Sequence, residues 1–273
     1  MGFSERQALM LEEMGIRVWT RAEVAAPVEA EAVPEPAPAP VQARAPAPAP
    51  APAPRALAAV PPAPARSPAI EVVARGDRPT GTETMDWPAL REAVAGCTAC
   101  GLCQGRTQTV FGVGNQRAHW MVVGEAPGEQ EDRQGEPFVG KSGQLLDNML
   151  RALGLTRDEA GPERQVYIAN TVKCRPPGNR NPEPQELSQC EPFLMRQIAL
   201  VQPRVILAMG RFAVQSLLRS NEPIGRLRGR VHRYQGVPLV VTYHPAYLLR
   251  NPEDKGRAWD DLCLAREVLA PEG

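Results

Sequence analysis

Residues 119–155 read HWMVVGEAPGEQEDRQGEPFVGKSGQLLDNMLRALGL, and this stretch decides the fold. A run of apolar residues comes first. A loop rich in glycine and acidic residues follows it, and apolar residues at helical spacing complete the stretch. Strand, loop and helix in this order are part of the unit in which helices connect parallel strands. The sequence therefore predicts an α/β domain.

Three further apolar runs repeat this pattern. They are QVYIANTVK at 165–173, RVILAMG at 204–210 and PLVVTYHP at 238–245, with helical segments such as 184–201 between them. Their nearly continuous apolar character fits strands that are buried on both faces of a parallel sheet. In such sheets ligands bind beyond the carboxyl ends of the strands. The polar residues expected at that edge are Glu125, Asn170 and His244.

The 273 residues divide by composition into three parts. Residues 1–22 are expected to form a short helical interaction peptide. Residues 23–82 are dominated by alternating alanine and proline, which bury little and lack backbone donors, so they are expected to be an extended, disordered linker. Residues 83–273 are long enough for one domain with a hydrophobic core.

Charge and hydropathy limit the cellular locations and the classes of binding partner that the sequence permits. Lysine plus arginine and aspartate plus glutamate both number 31, so the whole chain gives no sign of nucleic-acid binding. Arginines are nevertheless clustered at 226–233, which permits a surface that faces phosphate or simply a solvated basic face. No apolar run has the length of a membrane span, and no signal peptide is evident, so a cytoplasmic protein without membrane contact is expected.

Four cysteines have the spacing of a metal centre. Cys97 and Cys100 stand three residues apart, and Cys174 and Cys190 supply two more thiols from distant sequence. Four thiolates suit either zinc or a cubane iron–sulfur cluster, and spacing does not choose between them. Cys103 is a fifth candidate, and the alternative is that all of them are small buried hydrophobes.

The loop at 124–147 combines glycines and prolines with two carboxylates, Glu125 and Glu131, and one aromatic residue, Phe138. Its glycines permit a tight loop that approaches a ligand closely with its backbone. Taken alone, it is also compatible with an ordinary surface turn.

Four stretches together resemble the family 4 uracil-DNA glycosylases, in the same order along the chain. They are CTACGLCQGRTQTVFGVGN at 97–115, VGEAPGEQEDRQGEPFVGKSGQLLD at 123–147, YIANTVKCRPPGNRNP at 167–182 and HPAYLLRNP at 244–252. The resemblance implies a uracil-glycosylase α/β fold with a central four-stranded parallel sheet flanked by helices. It also implies a [4Fe-4S] cluster whose ligands are Cys97, Cys100, Cys174 and Cys190, without Cys103.

The same resemblance implies roles in a uracil pocket. The backbone of Glu125, Ala126 and Pro127 would meet uracil, Phe138 would stack on the flipped base, Asn170 would recognise its Watson–Crick edge, and His244 would donate to a base oxygen. Glu125 and Glu131 are candidates to stabilise the sugar cation and orient water. Better-known uracil glycosylases have an aspartate in the place of Ala126, which leaves open which group activates water.

The segment after His244 is expected to contact DNA. Tyr247, Leu248 and Leu249 are candidates to wedge into the base stack, and Arg250 is a candidate to meet a phosphate. The alternative for these residues is packing of a helix against the sheet.

The N-terminal peptide suggests a partner. LMLEEMGIRVWTR at 9–21 resembles the clamp-loader-binding peptide of the DNA polymerase III psi subunit, and a marginal helix with one apolar face commonly orders on a partner. Residues 4–21 are therefore expected to bind the clamp loader.

Three functions follow from these patterns. The first is a monofunctional glycosylase that removes uracil from DNA and leaves an abasic site. The second is a replication adaptor with a degenerate glycosylase domain. The third, electron transfer, rests on the cluster alone.

Overall fold

The computed structural model describes residues 79–269. The predicted peptide at 1–22 and the predicted linker at 23–82, except for its last four residues, lie outside the described residues. The described part begins with a short 3-10 helix at Thr82–Thr84, and Thr82 is buried.

Six strands form one sheet in the described part of the chain. They are β1 (Val113–Gly114), β2 (Trp120–Gly124), β3 (Tyr167–Asn170), β4 (Val205–Met209), β5 (Val231–Tyr234) and β6 (Val237–Thr242), in the spatial order β1-β3-β2-β4-β6-β5. The four inner strands are parallel, as the sequence predicts. The two antiparallel edge strands, β1 and β5, were not predicted.

Helices connect these strands and cover both faces of the sheet. They are α1 (Trp87–Ala95), α2 (Glu129–Gln134), α3 (Lys141–Ala152), α4 (Pro184–Val201), α5 (Arg211–Leu218), α6 (Ile224–Leu227), α7 (Pro245–Arg250) and α8 (Lys255–Leu269). Helix α1 begins after Asp86, which caps it. The Asp86 carboxylate accepts the Ala89 N–H at 3.0 Å, and Pro88 stands in the first turn.

Each inner strand contributes to two cores, because alternate side chains of a strand point to opposite faces. In β2, Trp120 and Val122 pack on one face with residues of α3 and α8. Met121 and Val123 pack on the other face with residues of α4 and α5. Burial on both faces explains why these strands are apolar throughout. No helix in the described residues is long and apolar enough to cross a membrane.

The strand order places the site. The chain moves from β2 to β3 on one side and then to β4 on the other side of β2. The crevice beyond the carboxyl ends of the strands at such a reversal is the usual ligand site of an open α/β sheet. Glu125, Asn170, Gly210 and His244 all stand at this edge.

Candidate active site

A pocket of about 250 Å³ lies at this edge of the sheet. Its size is at the small end for ligand sites, which fits a ligand of about one ring. Its lining includes all the residues that the sequence predicts for a base pocket: Glu125, Ala126, Pro127, Glu131, Phe138, Asn170 and His244. The structure therefore brings together residues from three separate segments of the chain: the loop after β2, the end of β3 and the start of α7.

Phe138 forms one wall of the pocket. Its ring is 4% exposed and stacks on the His244 ring with centroids 5.3 Å apart. Gly124 permits this position, because a Cβ there would lie 2.5 Å from Phe138 Cζ and 2.5 Å from Asn170 Oδ1. Any side chain at Gly124 would displace both residues from the pocket.

The backbone of Phe138 is strained, with a φ of 56° that is rare for a bulky residue. Two contacts hold it. Arg157 donates to the Phe138 carbonyl at 2.9 Å and is itself fixed by Asp147 at 2.6 Å. On α3, Gly143 packs so closely that a Cβ there would lie 1.7 Å from the same carbonyl oxygen. Strain that the surroundings maintain in this way is typical of functional sites.

Asn170 supplies a buried amide at the end of β3. The side chain is 2% exposed, and its oxygen makes no hydrogen bond within the described residues. Buried polar atoms almost always have a partner, so one that lacks a partner and lines a pocket is placed for a ligand. The Asn170 amide has an acceptor oxygen and an NH2 group with two N–H donors. It can therefore accept a hydrogen bond from a ligand and donate one to the ligand at neighbouring positions.

His244 is a neutral hydrogen-bond donor in this arrangement. Its Nδ1 accepts the backbone N–H of Ala246 at 3.1 Å, which leaves the proton of the neutral ring on Nε2. Burial, and then the positive charge of Arg250, lowers the pKa of His244 to about 4. At neutral pH the ring therefore donates from Nε2 without carrying a charge.

Glu125 is a carboxylate that titrates near neutral pH. Burial raises its pKa to about 7, and the positive charge of Arg211 acts in the opposite direction. A group with this pKa is suited to accept a proton at neutral pH. Arg211 is not among the residues that the sequence predicts for the site. It follows β4 at the same carboxyl-end edge of the sheet, so its position in the order of elements is the signal that could have identified it.

Glu131 organises the loop in addition to lining the pocket. Its Oε2 accepts the Gly128 N–H at 3.1 Å, and its Oε1 accepts the Val139 N–H at 3.1 Å and the Gly140 N–H at 3.3 Å. One carboxylate thus ties the two ends of the loop together. The sequence had suggested only a chemical role for Glu131, because backbone partners leave no signal in a sequence.

The residues of α7 divide between core and surface. Leu248 is 1% exposed and packs in the core, so its predicted contact with DNA is wrong. Leu249 is 45% exposed and Arg250 is exposed as well. The Tyr247 hydroxyl donates to Asp254 at 2.8 Å, and its ring stacks on Tyr243 with centroids 5.0 Å apart.

The four cysteines predicted as ligands come together beside α1. Cys174 and Cys190 are buried in one apolar cluster, and Cys97 and Cys100 are half-buried and pack against it. Cys103 is near enough to interact electrostatically with Cys100 but is not part of the packed cluster. Among residues 79–269, no three His, Cys, Asp or Glu side chains converge on the position of a single metal ion.

Arg106 and Lys173 donate hydrogen bonds to two of the cysteine sulfurs. Arg106 donates to Cys174 Sγ at 3.1 Å and to the Cys97 carbonyl at 2.9 Å, and the Lys173 N–H donates to Cys190 Sγ at 3.2 Å. Burial raises the pKa of Cys174 to about 11 and that of Cys190 to about 12. A bound metal would supply the positive charge that turns such thiols into thiolates. The donor set therefore fits a metal centre held by cysteine.

Comparison with known proteins identifies the family of the chain. The family profile "Uracil DNA glycosylase superfamily" matches residues 111–263. The "Type-4 uracil-DNA glycosylase" of Pyrobaculum aerophilum is 40% identical over 190 residues, which is 66% of this chain and 93% of that protein. The protein of the same name from Thermotoga maritima is 41% identical over 188 residues, 67% of this chain and 95% of that protein. A "Type-5 uracil-DNA glycosylase" of P. aerophilum is 35% identical over 149 residues, 50% of this chain and 66% of that protein.

Proposed function

The chain belongs to the uracil-DNA glycosylase superfamily and, by identity and coverage, to its type-4 enzymes, and from this we propose its reaction. It is a monofunctional glycosylase that hydrolyses the N-glycosidic bond of deoxyuridine in DNA, releases uracil and leaves an abasic site for base excision repair. The observation that carries this proposal is the buried Asn170 Oδ1, which has no hydrogen-bond partner in the described residues and lies beside Phe138 in a pocket of one-ring size. The intact pocket disfavours the alternative of a degenerate adaptor domain.

Recognition requires that the nucleotide leave the helix, because the base is inaccessible inside a duplex. Flipping costs roughly a few kcal/mol, and stacking on Phe138 returns about 1–3 kcal/mol. The Asn170 amide matches O4 and N3–H of uracil. Cytosine presents the opposite donor and acceptor at these positions, so it would leave unpaired polar groups in a buried site.

Bond cleavage separates charge, and the pocket offers a partner for each charge. As the bond between the base and the sugar breaks, negative charge grows on uracil, and the Nε2–H of His244 donates to a base oxygen. Positive charge grows on the sugar, and the ionised Glu125 stabilises it. The attacking water gives its oxygen to the sugar carbon and its proton to Glu125. Glu131 acts by holding the loop that presents Glu125.

We propose that the four-cysteine site binds a [4Fe-4S] cluster. Four thiolates suit either zinc or an iron–sulfur cluster, and the similarity to type-4 enzymes favours the cluster. When bound, the cluster supplies a structural link between the segment at 97–100, Cys174 and Cys190. The residues of the pocket carry out the reaction itself.

For the DNA surface we propose Leu249 as the wedge into the base stack, since it is exposed where Leu248 is not. Arg250 would meet a phosphate, and Tyr247 would shape the same surface. Because the substrate is cellular DNA, we place the reaction in the cytoplasm. The peptide at 4–21 and the linker after it lie outside the described residues, and we propose that they tether the enzyme to the clamp loader.

The first prediction concerns the pocket. The protein should release uracil from a uracil-containing oligonucleotide, which alkali converts into strand breaks. His244→Ala and Asn170→Ala should each lower the single-turnover rate by about tenfold or more, since each removes a group that binds the base in the transition state. The exposed Asn221→Ala is the control and should cleave normally. Normal rates in both pocket variants would contradict the assignment.

The second prediction is the pH dependence. The ionised form of Glu125 is required, and its pKa is about 7, so the single-turnover rate should rise as the pH increases through about 7 and then level off. His244 has a pKa of about 4 and stays neutral throughout this range, so it causes no second change in the rate between roughly pH 6 and pH 8. The rise should disappear in Glu125→Gln. If the rate of Glu125→Gln still rises with pH, the rise belongs to another titrating group.

The third prediction concerns the cysteines. Purified protein should be brown with broad visible absorption and contain about four irons per chain. Cys100→Ala should lose the iron and much of the folded stability, because the metal centre joins distant segments. Cys103→Ala is the matched control and should keep the iron. Stoichiometric zinc without iron after anaerobic preparation would refute the cluster.

The fourth prediction concerns the N-terminal peptide. A labelled peptide of residues 1–25 should bind assembled clamp loader saturably, and Trp19→Ala should abolish the binding, because an exposed aromatic residue is a typical anchor in a groove. In the full chain the same substitution should leave uracil release unchanged. Binding that is absent, or that does not depend on Trp19, would remove the proposed tether.

A further inference from the structure

Lys173 is a fully buried lysine between the cysteines and the base pocket. Its side chain is 1% exposed and is among the largest side chains that the described residues bury completely. Lysine is almost never buried in this way unless its ammonium group is paired, because removing the charge from water is costly. A function for this residue should therefore be found in its partners.

The ammonium group joins two structural elements. It donates to the backbone carbonyl of Asn170 at 2.8 Å and to Gln197 Oε1 on α4 at 2.6 Å. Gln197 is itself completely buried, and its Nε2 donates to the Phe111 carbonyl at 2.9 Å and the Tyr167 hydroxyl at 3.0 Å. These partners fix the orientation of the Gln197 amide with its oxygen towards Lys173.

The same short segment is bound to the cysteine site. The Lys173 N–H donates to Cys190 Sγ at 3.2 Å, and the next residue is Cys174. Cys190 and Gln197 stand seven residues apart on α4, which places them on one face of the helix. Lys173 therefore contacts the base-recognising residue through its ammonium group and a ligand cysteine through its backbone.

We propose that Lys173 is a positioning residue that couples the four-cysteine site to the base-recognising amide of Asn170. The inference rests on the proposed function, since it concerns the same pocket. With its carbonyl fixed, Asn170 presents its side chain to the base at one angle, and a cluster that holds Cys174 and Cys190 fixes Lys173 in turn. A lysine that served only the core would have no specific connection with Asn170.

A double-mutant cycle separates these roles. Lys173→Met, which keeps the length of the side chain without the charge, should lower the single-turnover rate of uracil release by about tenfold in an otherwise unaltered chain. In the Asn170→Ala background the same change should have less than about a twofold effect, because the residue it acts through is gone. Effects that multiply would overturn the proposal and assign Lys173 to general stability.

Two further measurements do not depend on turnover. Iron content and visible absorption of Lys173→Met should remain those of the unaltered protein, whereas its affinity for free uracil, measured by calorimetry, should fall by about tenfold in parallel with the rate. The buried Ile198→Ala, next to Gln197 on α4, is the control for destabilisation: it should lower the melting temperature and keep the affinity for uracil. Unchanged uracil affinity in Lys173→Met would overturn the proposal.

If Lys173→Met does not fold, Gln197→Leu takes its place in the same cycle, with Gln197→Glu as the conservative variant. Gln197→Leu removes the oxygen that Lys173 binds and should show the same loss of effect in the Asn170→Ala background, while Gln197→Glu keeps an acceptor and should retain more activity. Uracil release by the unaltered protein tests the proposed function separately. The proposal for Lys173 fails when that release is normal and the effects multiply.

Discussion

The site depends on backbone hydrogen bonds between the segments that follow β2 and β3. Thr171 N–H donates to the Gly124 carbonyl at 3.0 Å, and Val172 N–H donates to the Glu125 carbonyl at 3.3 Å. These bonds continue the pairing of the two strands beyond their ends. They fix Glu125 relative to Asn170, and the chain continues from Asn170 to Cys174 within four residues, so the pocket and the cysteine site share one short segment.

The inner strands could be predicted from the sequence because burial on both faces makes them apolar throughout. The edge strands could not. In β5 the exposed Val231 and Arg233 alternate with half-buried residues, which gives a weak pattern, and β1 has only two residues. Such strands exist because a neighbouring strand is available for pairing, and that condition depends on the tertiary fold.

Site residues that lie at the carboxyl ends of parallel strands could be predicted from the sequence, because ligands bind at that edge. Site residues whose role depends on the direction of the side chain could not be predicted. Asn170 ends β3 and His244 follows β6, so the order of elements places both residues at the carboxyl-end edge of the sheet. Leu248 and Leu249 are neighbours on a helix of six residues, too short for periodicity to show which one faces the core. The partners of Glu131, Arg106 and Lys173 are backbone groups, distant cysteines and, for Lys173, the distant Gln197, and such pairs leave no pattern in the sequence.

Ala126 stands where better-known uracil glycosylases have an aspartate, so another group has to activate the attacking water. Glu125 is the adjacent residue, and its partial burial raises its pKa to about 7. A carboxylate with the ordinary pKa is fully ionised at neutral pH but is a weak base, whereas Glu125 is a stronger base and is only partly ionised. The loss of ionised enzyme is about twofold at a pH equal to the pKa. Arg211 limits this loss, because its positive charge keeps the pKa from rising further. Burial and Arg211 thus set the balance between base strength and ionisation at a single carboxylate, and the proposed roles of Glu125 in charge stabilisation and proton transfer both depend on that balance.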